Sequence, residues 1–286
     1  MLTRIATGAS LILLAVTLIH FQGWPLRIVL GIMMLISVHE MYRALEHHGD
    51  RPVRWIGYVY CALACLAQSF CGVLDLPVFE LISPPMFALV LGLLGAMIAV
   101  VLRGKVDFDS LTATIFPMLY PGLFFTLILP LQDMPGRLIS ILALVLTFFI
   151  ASVSDMFALF AGVRFGRHKL SPAISPKKTV EGSVAGLLSA VLFSMLVPAI
   201  AMALRPYMPA AMQAEYLPPI WAFGVLGLIA GALAQFGDLT ASMVKRHCGI
   251  KDFGNILPGH GGIMDRMDGI LFCGAACYAF FRLLGI

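Results

Sequence analysis

Long apolar runs, separated by short polar segments, restrict the fold of this sequence more than any other feature. The runs lie near residues 5–22, 25–45, 55–74, 82–102, 112–132, 138–162, 183–204, 218–237 and 264–284. Each approaches the roughly 20 residues that a helix needs to cross the hydrocarbon core of a bilayer. Because backbone groups inside lipid must bond to one another, such runs form helices. The sequence therefore predicts an all-α, polytopic integral membrane protein with about nine transmembrane helices.

The charged residues indicate how such helices are oriented. Only 12% of the 286 residues are charged, against roughly 25% in a soluble protein, and the mean hydropathy is +0.95. If the N-terminus is cytoplasmic and nine spans alternate, most of the 19 lysines and arginines face the cytoplasm. The positive-inside rule requires this bias. The exceptions are Arg27, Arg137, Arg205 and Arg282.

Residues 238–268 carry a dense group of charges in an otherwise apolar chain. Asp238, Ser242 and Lys245 are spaced i, i+4 and i+7, which places them on one face of a helix. Gly249 is a suitable end for that helix. The bland alternative is a solvated loop whose charges only fix topology. That alternative leaves the fixed spacing of aspartates, cations and glycines unexplained.

A glycine-rich turn follows within the same stretch, at residues 258–262, and a new apolar helix is expected to start near Ile263. Glycines permit positive φ and let backbone N–H groups point at a ligand, so a loop of this kind before a helix is typical of an anion site. Asp265 and Asp268 lie one turn apart at the start of the predicted helix. Carboxylates beside an anion site favour a divalent cation between them and a phosphate.

A second polar region covers residues 152–182. Asp155 falls near the inner end of a predicted span, where a buried aspartate is either functional or paired with a cation in the bundle. Further along, Ser175 and Pro176 predict a helix cap and first turn. Lys177, Lys178 and Thr179 would then lie at a helix start, where they can bind phosphate oxygens. The alternative is a basic loop that only anchors topology.

Residues 1–150 carry little recognisable chemistry. The exception is Glu40, near the inner end of the second predicted span, for which structural pairing is favoured over direct function. Pro117 and Pro121-Gly122 are expected to kink the fifth span. The two polar loops, of about twenty residues each, are too short for a free-standing domain. The sequence therefore divides into N-terminal transmembrane helices (1–150) and a C-terminal catalytic region (151–286), with its site at the cytoplasmic helix ends.

These motifs together resemble the signature of the phosphatidate cytidylyltransferases, or CDP-diacylglycerol synthases. The resemblance is carried by Ser-Pro-Lys-Lys-Thr-x-Glu-Gly at 175–182 and Gln-x-Gly-Asp-Leu at 235–239. Further along it is carried by Ser-x-x-Lys-Arg at 242–246, Lys-Asp at 251–252, Pro-Gly-His-Gly-Gly at 258–262 and Asp-Arg-x-Asp at 265–268. It covers about the C-terminal half of the chain.

The resemblance implies the activity CTP + phosphatidate → CDP-diacylglycerol + pyrophosphate, at the inner face of a cell membrane. It implies catalytic roles for Asp238, Lys245, Arg246, Asp265, Arg266 and Asp268. Mg²⁺ would be held by Asp238, Asp265 and Asp268. Substrate would be bound by Ser175, Lys177, Lys178, Thr179, Glu181, Ser242, Lys251, Asp252, Gly259, His260, Gly261 and Gly262, and Asp155, a candidate from its place near a helix end, is added to this set.

Two other functions stay open at this point. A CTP-dependent lipid-alcohol kinase would need a general base, for which His260 is available. A membrane transporter with an ion site at Asp155 is the second, although no internal repeat supports it. The expected partners are CTP, phosphatidate and the bilayer, without nucleic acid, and a homodimer is left open.

Overall fold

Helices make up most of the structure, which is a computed structural model describing residues 2–70, 83–104, 106–257 and 261–286. In its first half these are α1 (Leu2–Phe21), α2 (Gly23–His48), α3 (Arg54–Phe70), α4 (Pro84–Val101), α5 (Phe108–Pro117) and α6 (Phe124–Ile128). In its second half they are α7 (Arg137–Phe165), α8 (Val180–Leu204), α9 (Ala210–Gln213), α10 (Ile220–His247) and α11 (Met264–Leu283). Short 3₁₀ turns occupy Leu129–Asp133 and Arg205–Tyr207.

Six helical segments in the described part of the chain are long and apolar enough to cross a membrane. They are Gly23–His48, Pro84–Val101, Phe108–Asp133, Arg137–Phe165, Val180–Tyr207 and Ile220–His247. The remaining three predicted runs overlap α1, α3 and α11, and residues 71–74 of the predicted run 55–74 lie outside the described residues. The all-α membrane class is confirmed, and the count of nine spans stays a prediction.

The segment Phe108–Asp133 is interrupted where its prolines fall. A π-helical turn, Met118–Leu123, separates α5 from α6, and Tyr120 leaves the helical region at φ −130° and ψ 110°. Proline removes a backbone donor and clashes with the preceding turn, so the predicted kink at Pro117 and Pro121 is confirmed.

One local prediction is wrong. Ser175–Thr179 is a β-strand (β2) that pairs antiparallel with Lys169–Ser171 (β1), and α8 starts only at Val180. Thr179, not Ser175, caps that helix, because its hydroxyl accepts the N–H of Gly182. Pro172 begins the turn between the strands, and a two-stranded hairpin has an edge on which Pro176 costs no ladder hydrogen bond.

The chain forms two compact units. Unit 1 comprises Met1–Leu129 and Val244–Arg266, and unit 2 comprises Pro130–Met243 and Met267–Ile286. The core of unit 1 includes the fully buried side chains Met34, Val38, Met41, Tyr42 and Tyr60. The predicted division into N-terminal transmembrane helices (1–150) and a C-terminal catalytic region (151–286) is a division by function, and it stays a prediction.

In unit 2, α7 and α8 approach closely through small residues. A Cβ atom on Gly186 would lie 2.7 Å from the carbonyl oxygen of Ser154, and one on Gly182 would lie 2.5 Å from that of Ala158. Small residues of this kind let membrane helices pack backbone against backbone. This packing fixes the start of α8 and therefore the position of the hairpin before it.

Candidate functional site

The helix that carries the first part of the charged stretch ends as predicted. Asp238, Ser242 and Lys245 all lie in α10, and the helix stops at His247. Gly249 follows with φ +67°, a left-handed conformation that glycine adopts without steric cost. The predicted helix end at this glycine is confirmed.

In unit 1, Asp265 is the centre of a buried polar cluster. One carboxylate oxygen lies 2.8 Å from Nζ of Lys245, and the two side chains are only 4% and 14% exposed. The other oxygen accepts the backbone N–H groups of Phe253, at 2.8 Å, and Gly262, at 3.0 Å. The ammonium of Lys245 also lies 5.4 Å from the centre of the Phe253 ring. Asp265 is thus held by three donors and fixes one lysine in place.

Glu40 joins this cluster from a distant part of the sequence. Its side chain, on α2 and 2% exposed, accepts the N–H of Ile263 at 3.2 Å and that of Met264 at 2.8 Å. Its partners are therefore the backbone amides at the start of α11. Sequence reasoning found Glu40 as an ionisable residue in an apolar run, but not these partners.

The described residues of the glycine-rich turn make hydrogen bonds within the protein. Gly261 has φ +83°, so the predicted positive φ at a glycine of this turn is confirmed. Its carbonyl accepts the N–H of Leu257. The N–H of Gly262 donates to Asp265 in this structure, and that this amide binds a substrate phosphate stays a prediction. Pro258, Gly259 and His260 lie outside the described residues.

In unit 2, a second lysine–aspartate pair links the hairpin to α10. Lys178, on β2, forms an ion pair with Asp238, and each side chain is 26% exposed. Lys177, the neighbouring residue on the strand, is exposed. Alternate residues of a strand point to opposite sides, so Lys178 faces Asp238 while Lys177 points away from it.

Glu181, predicted to bind substrate, supports the hairpin. Its carboxylate accepts the backbone N–H groups of Arg167, at 3.0 Å, and His168, at 3.2 Å. It also lies 2.6 Å from Nδ1 of His168. These contacts anchor the chain as it leaves α7 and returns into β1.

Two further predicted residues of unit 2 have contrasting positions. Asp268 is 8% exposed and accepts the N–H of Gly269 at 2.8 Å. Its backbone lies against Gly237, where a Cβ would collide with the Asp268 carbonyl oxygen. Asp155 was expected to be buried but is exposed. One step along a helix rotates a side chain by about 100°, and it is the preceding residue, Ser154, that points into the bundle.

A polar network inside unit 2 surrounds Gln235. Its amide donates to the Ser183 carbonyl, at 2.9 Å, and to the Ser154 hydroxyl, at 3.5 Å. The Ser183 hydroxyl donates back to its side-chain oxygen. Gln235 is the first residue of the motif that precedes Asp238, so the network fixes the part of α10 that presents that aspartate.

The remaining predicted residues are mostly in contact with solvent. Ser175 and Ser242 are half-buried. The exposed set consists of Arg246, Lys251, Asp252 and Arg266. The three cationic side chains of this set, Arg246, Lys251 and Arg266, are accessible to an anionic ligand.

Within the described ranges, no group of three or more His, Cys, Asp or Glu side chains is placed to hold a metal ion. Asp238 and Asp265 are each paired with a lysine instead. That Asp238, Asp265 and Asp268 hold a cation jointly therefore stays a prediction. Carboxylate oxygens remain suitable ligands for Mg²⁺, which keeps several waters and is usually bound through one or two carboxylates plus substrate phosphates.

Comparison with known proteins adds an independent finding. The model of the cytidylyltransferase family matches residues 2–284. The chain is 30% identical to phosphatidate cytidylyltransferase 5, chloroplastic, of Arabidopsis thaliana, over 99% of this chain and 72% of that protein. It is 33% identical to the phosphatidate cytidylyltransferase of Thermotoga maritima, over 62% of this chain and 61% of that protein. The enzyme of the same name from Staphylococcus saprophyticus is 40% identical over 44% of this chain and 43% of its own length.

Proposed function

The chain belongs to the cytidylyltransferase family, and from this premise we propose that it transfers the cytidylyl group of CTP to phosphatidate. The products are CDP-diacylglycerol and pyrophosphate. The observation that carries the proposal is the family match over residues 2–284. The matched residues include both lysine–aspartate pairs of the structure, Lys245–Asp265 and Lys178–Asp238.

The reaction is a displacement at phosphorus between two anions. An oxygen of the phosphatidate phosphate attacks the α-phosphorus of CTP, a new O–P bond forms, and the bond to the β-phosphate oxygen breaks as pyrophosphate leaves. The barrier consists mainly of charge repulsion and alignment. A phosphate monoester has a second pKa of about 6, so at neutral pH the attacking group is largely dianionic and needs no general base.

The basic side chains of the chain are suited to this problem. Lys245 is held at a fixed position by Asp265, so no reorganisation is needed when it meets a developing negative charge. Arg246, Lys251 and Arg266 lie near it in sequence and are exposed, which leaves their charges accessible to phosphate oxygens. Lys178 plays the corresponding role on the hairpin, held by Asp238.

We infer that the divalent cation of the reaction is Mg²⁺ and that it enters with the triphosphate. Asp238 or Asp265 would hold it, because Mg²⁺ is commonly bound by one or two carboxylates and by substrate phosphates. When bound, it neutralises charge on the phosphates and the leaving group. The aspartates, for their part, orient the lysines.

The site lies at the cytoplasmic ends of the helices of an inner membrane. The concentration of lysine and arginine in the segments around 163–178 and 245–266 supports this side. A site at the membrane face is at the depth of a lipid head group, so phosphatidate reaches it without leaving the bilayer.

One assay separates this function from the alternatives. Purified protein in detergent is incubated with phosphatidate, a lipid alcohol such as diacylglycerol, Mg²⁺ and CTP labelled with ³²P at either the α or the γ position. We expect label from the α position to enter the lipid fraction and label from the γ position to leave as pyrophosphate. Lipid labelled only from the γ position would mean a kinase, and no labelled lipid from either position would refute an enzyme of this class.

A further inference from the structure

Three consecutive backbone amides precede or begin α11, and in this structure all three donate to carboxylates of the protein itself. Gly262 donates to Asp265, and Ile263 and Met264 donate to the two oxygens of Glu40. The first amides of a helix have no partner within the helix, and they favour a negative charge. Glu40 thus occupies, from within the chain, the place that an anion takes at a helix N-terminus.

The surroundings of Glu40 are shaped for its side chain. A Cβ atom on either Gly254 or Gly262 would collide with its carboxylate. Both glycines belong to the segment that holds Asp265, because Phe253, directly before Gly254, donates the other amide to the Asp265 carboxylate. The Glu40 carboxylate therefore packs behind both backbone donors that orient Asp265.

We propose that Glu40 is a positioning residue for Asp265. It ties the start of α11, where Asp265 is the second residue, to α2, and it packs against the two glycine backbones beside the Asp265 donors. Glu40 does not touch substrate; it acts through the position of Asp265 and of the Lys245 ammonium paired with it. This inference rests on the proposed function, since it assumes that Asp265 and Lys245 serve the cytidylyl transfer.

The chemistry of the residue explains why another side chain does not replace it. Two amide donors point at two different oxygens, and only a carboxylate offers an acceptor to each. Glutamine keeps one oxygen but turns an NH₂ group toward the second amide. A shift of the first turn of α11 by about 1 Å is enough to cost on the order of 100-fold in rate.

The test compares Glu40→Gln with a matched control, Glu46→Gln. Glu46 is on the same helix but pairs with Arg54 rather than with the amides at the start of α11. The full-length proteins in detergent are examined by thermal unfolding, by hydrogen exchange of peptides covering residues 253–268, and by separate measurement of kcat and of KM for CTP.

For Glu40→Gln we expect a folded protein, at least 10-fold faster exchange at Ile263 and Met264, and a kcat lowered about 10- to 100-fold. KM for CTP should change less than threefold, because the exposed basic residues remain. Glu46→Gln should match the wild type in exchange and kcat. A kcat within twofold of wild type in Glu40→Gln, or a loss explained entirely by unfolded protein, would overturn the proposal.

A second variant covers the case in which Glu40→Gln does not fold. Gly262→Ala leaves the carboxylate in place but adds a methyl group against it. It should lower kcat as Glu40→Gln does, and normal kcat in this variant would also count against Glu40. The exchange measurement does not depend on activity. If the wild-type protein made no CDP-diacylglycerol, the proposed function would fail, while unchanged exchange at Ile263 and Met264 would show that the positioning idea itself is wrong.

Discussion

Replacing Asp265 by asparagine keeps the size of the side chain but removes the charge that pairs with Lys245. In the structure, one carboxylate oxygen faces the ammonium at 2.8 Å and the other accepts the amides of Phe253 and Gly262. Asparagine can keep its oxygen on the two amides, and its NH₂ group then faces the ammonium. Two donors oppose each other there, and the lysine loses its acceptor.

The burial of the pair sets the magnitude of this change. The side chains of Asp265 and Lys245 are 4% and 14% exposed, so water replaces the lost partner only in part. Losing a hydrogen bond to a charged group costs about 1.5–3 kcal/mol, and removing one partner of a fully buried pair costs about 3–5 kcal/mol. Because Lys245 keeps some contact with water, we expect the Asp265→Asn change to cost about 3 kcal/mol of interaction energy at this pair. If the transition state loses the same amount of stabilisation, the rate falls by about 100-fold.

The measurement is kcat/KM with α-labelled CTP, phosphatidate and Mg²⁺, corrected for the folded fraction from thermal unfolding. The kcat/KM of Asp265→Asn should be lower than that of the wild type by about 100-fold or more. Asp109→Asn, which changes an exposed aspartate of the same unit, should stay within twofold. If folded Asp265→Asn kept a kcat/KM within fivefold of wild type, the assignment of Asp265 to the site would be wrong.

Three further predictions concern topology, the second ion pair and the reaction path. Single cysteines in place of Lys177 or Asp252, in a cysteine-free background, should resist an impermeant thiol reagent in intact cells, whereas one in place of Ala211 should be labelled. Lys178→Met and Asp238→Asn should each lower kcat/KM about 10-fold or more, and the double variant should be no worse than the worse single variant. Enzyme with CTP, Mg²⁺ and ³²P-pyrophosphate, but no lipid, should put no label into CTP, because the acceptor phosphate attacks directly.

Each of these has a clear opposite outcome. Labelling at Lys177→Cys and Asp252→Cys in intact cells would place the site on the side without CTP. Multiplying losses in the double variant would mean that Lys178 and Asp238 act independently. Label entering CTP at a rate comparable to turnover would require a cytidylyl-enzyme, and direct displacement would be abandoned.

Features set by local chemistry were predictable from the sequence. Gly249 ends α10 because its left-handed conformation excludes most other residues, and the prolines at 117 and 121 interrupt their segment because they lack a donor. The first turn of α11 carries Asp265 as its position after the glycine-rich turn indicated. Each of these depends on a few neighbouring residues.

Features set by distant or rotational relations were not predictable. The Ser175–Thr179 segment has the composition of a helix start, yet it forms a strand because a partner strand lies before it. Asp155 and Ser154 differ by one helical step, and a single sequence with a uniformly apolar helix gives no sign of which one faces inward. Glu40 lies more than two hundred residues from the amides that it binds.

The hydrogen bonds of three backbone amides limit which groups of the charged stretch are available to bind phosphate. A backbone N–H makes one strong hydrogen bond at a time, so the amides of Gly262, Ile263 and Met264 cannot hold a phosphate while they hold Asp265 and Glu40. We therefore expect side chains to bind the negative charge of the substrates; Lys245 is held by Asp265, and Arg246 and Lys251 are exposed. We therefore propose that Gly262 orients the Asp265 carboxylate, that this carboxylate orients Lys245, and that Lys245 binds the phosphate. A change in the turn should therefore reach the reaction through the position of Lys245.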